Sequence, residues 1–81
     1  MILRYSAHFL KQYADAPLRV QRDFDKQSRF LVVNLRHPSL RAKKYDEERN
    51  LWQGRVNGDW RFYFTIEDDE FRLHEIKPHP K

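Results

Sequence analysis

The chain contains no cysteine and only two glycines in 81 residues. The first absence excludes a disulfide framework and any thiolate metal site, and it fits a reducing cytosol. The scarcity of glycine excludes a glycine-rich phosphate loop. No apolar run is long enough to span a membrane or to form a signal-peptide core. A cytoplasmic chain with no membrane contact is therefore expected. No pair of histidines or carboxylates has convincing metal-ligand spacing, so neither a metal nor another cofactor is expected.

What is present is charge and aromatic surface. The length suits one domain over residues 1–81. A domain this small buries roughly 60–65% of its unfolded surface, so its core must be efficient, and 15% aromatic residues meet that need. Sixteen Lys and Arg against twelve Asp and Glu give a net charge of +4. Such a balance suits a polyanionic partner, and it equally suits solubility. The placement of the charges decides between them.

Apolar periodicity divides the chain into an α+β order. Ile2 to Tyr5 reads as a short edge strand. Ser6 caps a first helix from about Ala7 to Ala14, with Phe9, Leu10 and Tyr13 at helical spacing. Asp15 is expected to cap a second helix, with Pro17 in its first turn. Val20, Phe24, Gln27, Leu31 and Leu35 form the buried stripe of that helix, from about Ala16 to Leu35. The period then changes to two. Strands are expected at Arg41–Tyr45, Leu51–Val56, Trp60–Ile66 and Glu70–Lys77, making two helices packed on one face of a twisted antiparallel sheet of about four strands.

The alternation separates two faces. Trp60, Phe62, Phe64 and Ile66 point inward with Trp52, Gly54 and Val56. Arg61, Tyr63, Gln53 and Arg55 point outward. A three-residue turn at Asn57-Gly58-Asp59 pairs Val56 with Trp60 and keeps both faces consistent. That register sets Arg55 opposite Arg61. Like charges directly opposed across strands are destabilising, so the pair marks either an anion site or two arginines with unseen carboxylate partners. In the last strand, strict alternation would bury Glu75 and Lys77 and expose Ile76. A bulge near His74-Glu75 is expected instead. It turns Ile76 inward, and Lys77 and His79 outward beside Arg61. If the regular register persisted, His74 would project beside Tyr63.

These residue types suit metal-free RNA cleavage. Histidine gives or takes a proton near neutrality. Arginine places fixed positive charge where transition-state charge builds. His79, Arg61, Arg55 and Lys77 are the catalytic candidates. Arg41, Lys43, Lys44, Gln53 and Tyr63 are the RNA-binding candidates. The basic stretch from Arg41 to Tyr45 either holds an RNA backbone or protects a sheet edge from aggregation. His8 and His37 read as surface or capping residues.

The run from Trp52 to Phe64 resembles the central hairpin of the RelE/ParE superfamily of bacterial toxins. Thr65 to Leu73 resembles that superfamily's second hairpin. Ile76-Lys77-Pro78-His79 is similar to the ending of its YafQ-like ribonuclease branch. The resemblance implies a RelE-like fold and the toxin of a type II toxin–antitoxin pair. It implies a ribosome-dependent mRNA endoribonuclease that leaves a 2′,3′-cyclic phosphate and inhibits translation. Arg55 and Arg61 match the phosphate-binding and transition-state positions, and His79 the C-terminal acid/base. Gln53 departs from the pattern, since some members carry Lys there. The implied partners are a small antitoxin, the ribosome and mRNA. The free toxin is expected to be monomeric and to form a hetero-oligomer with the antitoxin. The alternatives are a ParE-like inhibitor of DNA gyrase and a non-catalytic antitoxin-binding module.

Overall fold

Ser6 starts the first helix as its position predicts: its extended backbone breaks from the strand, and its hydroxyl accepts the Phe9 N–H at 3.0 Å. The computed structural model describes residues 1–80. Its elements are β1 (Ile2–Tyr5), α1 (Ala7–Asp15), α2 (Leu18–Val33), a short 3₁₀ turn (Pro38–Leu40), β2 (Lys43–Asp46), β3 (Leu51–Arg55), β4 (Trp60–Glu67) and β5 (Glu70–Pro78). Asp15 does not cap α2. It ends α1, and Pro17 stands at the α2 N-cap without a side-chain hydrogen bond. The second helix also stops two residues short of Leu35, at Val33, where Asn34 leaves helical geometry.

The sheet has five strands in the order β1-β5-β4-β3-β2, and β1 runs parallel to β5. The expectation of about four antiparallel strands is corrected here. Ile2–Tyr5 pairs with Glu70–Leu73, so the two ends of the chain meet in one ladder. Arg41 also leaves its expected strand. It adopts a left-handed conformation, φ 46°, at the end of the 3₁₀ turn, and β2 begins only at Lys43.

One face of the sheet carries both helices. Phe9, Val20, Phe24 and Leu31 pack against Phe62, Phe64, Phe71, Leu73 and Ile76, all essentially inaccessible. Phe24 meets Phe62 edge-on at 5.4 Å, in a favourable quadrupolar geometry. Gly54 sits beneath Phe62. A Cβ there would fall 2.3 Å from the ring's Cζ.

Register follows the alternation. Val56 N–H donates to Trp60 O at 3.0 Å across the three-residue turn, and Arg55 lies opposite Arg61. Between β4 and β5 the pairing jumps from Phe64–Leu73 to Tyr63–Glu75, which makes His74 the extra residue of a bulge. The bulge turns Ile76 inward, opposite Phe62, and sets Lys77 opposite Arg61. Gln12 of α1 accepts the Ile76 N–H at 2.9 Å, so the helix satisfies the backbone beside the irregularity. At the other end of this hairpin Asp68 and Asp69 both take positive φ, the geometry of a tight two-residue turn.

Candidate active site

The hairpin turn that joins β3 to β4 fixes one arginine. Asn57 Oδ1 accepts the N–H groups of Asp59 and Trp60, closing the turn, while its Nδ2 donates to Asp23 of α2 at 2.9 Å. The turn's carbonyls then face Arg61, whose Nη1 donates to Asn57 O at 2.7 Å and Trp60 O at 2.9 Å. Burial first, and the neighbouring Arg55 charge next, push the Arg61 guanidinium below the ordinary arginine value, with Arg41 adding to the effect. Arginine remains protonated under such shifts. The result is a positively charged fork held rigidly by neutral carbonyls.

Arg55 is held through its backbone. Gln27 is almost wholly buried on α2, and its Nε2 donates to Arg55 O at 2.8 Å and to Ser39 O at 2.9 Å. Ser39 Oγ donates back to Gln27 Oε1 at 2.9 Å. One amide therefore ties the end of β3 to the 3₁₀ turn, and that turn delivers Arg41.

These supports converge on a cleft of about 330 Å³ lined by Arg41, Lys43, Gln53, Arg55, Arg61 and His79. It opens on the sheet face turned away from the helices. His79 is exposed, and its backbone N–H donates to Asp59 O at 2.7 Å, which anchors the chain end at the hairpin turn. The question of carboxylate partners is answered by the ion pairs. Among the described residues, none of Arg41, Lys43, Arg55 or Arg61 has a carboxylate within 4.0 Å. Half of the acidic residues pair with cations away from the cleft; Arg72 alone bridges Glu67, Asp68 and Glu70.

Three of the candidates read from the sequence lie outside the cleft lining. Lys44 projects to the opposite face, with its ammonium 5.4 Å from the Trp52 ring centroid and 3.8 Å from Glu47. Alternation in β2 gives the cleft Lys43 and denies it Lys44. Tyr63 is on the outer face but covered, with Tyr45 edge-on at 5.0 Å and Lys77 over its ring at 5.1 Å. Its hydroxyl accepts from Gln53 Nε2 at 3.1 Å, so both residues are buried. No ring face of Tyr63 is open to a stacking base. Lys77 stands beside the cleft and pairs with Glu75 at 3.1 Å. His74 does not lie beside Tyr63. The bulge carries it to Thr65, with Nε2 2.8 Å from the hydroxyl.

Sequence reasoning treated Asn57 only as a turn residue and Gln27 only as a member of the buried stripe. The positioning role of Asn57 has a signal in its Asn-Gly-Asp turn. Gln27 has another, a polar residue on an otherwise apolar stripe. Among the described residues no group of three His, Asp or Glu is arranged to hold a metal ion.

No family model matches the chain, and no curated protein matches it in sequence. Solved structures do match its fold. A YoeB/ParE toxin from Agrobacterium tumefaciens superposes with a TM-score of 0.81 at 12% identity, covering 99% of this chain and 100% of that one. YafQ from E. coli strain BL21(DE3) gives 0.79 at 18% identity, covering 95% and 91%. The RelB-RelE antitoxin-toxin complex from Methanococcus jannaschii gives 0.77 at 14% identity, covering 93% and 88%. The chain therefore has the RelE/ParE toxin fold over nearly its whole length, with the cationic cleft on the exposed face of the sheet.

Proposed function

We propose that the chain is the toxin of a type II toxin–antitoxin pair and that it cuts ribosome-bound mRNA without a metal. The observation that carries this reading is the cleft itself: four cations that have no carboxylate partner among the described residues stand beside one imidazole, on the sheet face opposite the helices. A structure built for stability alone would neutralise such a cluster.

A phosphodiester in the cleft lies between Arg55 and Arg61. A base removes the 2′-OH proton, the 2′-oxygen attacks phosphorus, and charge builds on the non-bridging oxygens. Arg61 is rigid before the charge appears, so its stabilisation needs no reorganisation in the transition state. The P–O5′ bond breaks, a proton passes to the leaving 5′-oxygen, and a 2′,3′-cyclic phosphate remains. Of the lining residues, His79 is the type that exchanges protons near neutrality. Arg41 and Lys43 hold the flanking backbone, and Lys77 adds positive potential from the neighbouring strand. The partner is a small antitoxin, as RelB is for the RelE of similar fold.

Induction of the chain, with primer extension on translated mRNA, tests the reading. Cleavage within translated reading frames, lost in Arg61→Ala, is the expected result. Intact mRNA under full growth arrest, together with inhibited DNA supercoiling, would replace it with the gyrase-directed function.

A further inference from the structure

A second cavity lies in the helix layer and shares no residue with the cationic cleft. It holds about 220 Å³ and is lined by Tyr5, Phe9, Leu10, Tyr13, Phe24 and Asp25. Phe9 and Phe24 are its buried floor, packed at 5.2 Å between centroids. Tyr5 meets Phe9 at 5.5 Å, and Tyr13 meets Phe24 edge-on at 6.1 Å, so the two tyrosines form walls. Tyr5 and Leu10 are exposed at the rim.

Asp25 stands at the rim of this cavity as an exposed carboxylate bonded to one of its walls. On α2 it has Arg22 three residues before it and Arg29 four residues after, both at helical pairing distance in sequence. It pairs with neither. Among the described residues it forms no ion pair, and Oδ1 instead accepts the Tyr13 hydroxyl at 2.8 Å. Burial first, and then Asp25, raise the pKa of both Tyr5 and Tyr13, which keeps both phenols neutral. An unpaired carboxylate thus stands at the edge of an aromatic pocket.

We propose that this pocket receives an arginine side chain from a protein partner. Aromatic walls attract a cation through their ring faces. A carboxylate at the rim supplies the counter-charge, and a guanidinium satisfies both at once, because it stacks on rings and bonds a carboxylate in the same plane. The size agrees. Sites for drug-sized ligands and cofactors run from about 300 Å³ upward, so this cavity fits a side-chain head and its methylene stem. The apolar rim at Leu10 suits an aliphatic neighbour on the same partner segment. Because the pocket faces away from the cleft, the partner and a nucleic acid would bind the chain together.

The test uses the full chain and a small probe, N-acetyl-arginine methylamide, with the neutral citrulline analogue as control, followed by the ring resonances of Tyr5 and Tyr13. Saturable shifts are expected with the arginine probe. They should weaken roughly fivefold or more with citrulline or in Asp25→Asn. That substitution keeps an acceptor for the Tyr13 hydroxyl. Arg61→Ala should leave the shifts unchanged, which separates this site from the nuclease reading. Absent shifts, shifts equal with citrulline, or shifts undiminished in Asp25→Asn would overturn the assignment.

Discussion

Arg55 and Arg61 face each other directly across the β3–β4 ladder, and among the described residues neither has a carboxylate within 4.0 Å. Their supports differ. Arg61 is held by turn carbonyls through its guanidinium, whereas Arg55 is held through its backbone by Gln27. The two can therefore be separated by substitution.

Removing the Arg55 charge relieves the repulsion without disturbing a side-chain hydrogen bond. Arg55→Gln should raise unfolding stability by about 0.2–1 kcal/mol while weakening RNA cleavage. Urea melts and cleavage rates on the same preparation check the pair of effects. Loss of both stability and activity would mean that Arg55 serves the fold.

Arg61→Ala should slow cleavage by about 10²–10³-fold, the usual consequence of losing one preorganised charge donor. Antitoxin binding should persist, because the turn is closed by Asn57 independently of Arg61. Single-turnover cleavage and a pull-down with the antitoxin measure the two.

His79→Gln should cost about 10²–10⁴-fold in rate and leave the melting temperature unchanged. The residue is exposed, and the bond that holds it in place is made by its backbone N–H to Asp59. A circular-dichroism melt beside the cleavage assay distinguishes proton transfer from structural support.

Gly54→Ala should be strongly destabilising, by about 1–3 kcal/mol or more. The new methyl would meet three ring atoms of Phe62 at 2.3–2.8 Å. That ring is fixed between Phe24 and Phe64 and has nowhere to move. Denaturant titration gives the value.

Acid should loosen the β1–β5 edge. Hydrogen bonding to Arg4 holds the Glu70 carboxyl below its ordinary value, with Arg72 adding to it. A lowered pKa in the folded state means stability that is present above the unfolded value. It is lost as pH falls through the folded one. Protection factors at Ile2–Tyr5, taken relative to the intrinsic exchange rate at each pH, should therefore fall on acidification below the ordinary glutamate range, and Glu70→Gln should remove that dependence.

The sequence by itself determined the helices, the hairpins and the face that carries Arg55 and Arg61. These follow from local periodicity: a strand alternates every second residue, so Trp60-Arg61-Phe62-Tyr63-Phe64 assigns its own faces. The bulge at His74 was legible for the same reason, since an unbroken register would have exposed Ile76 and buried two charges. Tertiary structure alone decided the parallel pairing of β1 with β5, which joins residues nearly seventy positions apart and leaves no local pattern. It also decided which outer-face residues stay open. Tyr63 alternates outward as expected, yet Tyr45 and Lys77 cover its ring, while Gln53 beside it reaches the cleft. Arg41 enters the cleft through a left-handed turn, while Lys44 is carried away from it. Alternation gives the direction of a side chain; only packing settles what lies above it.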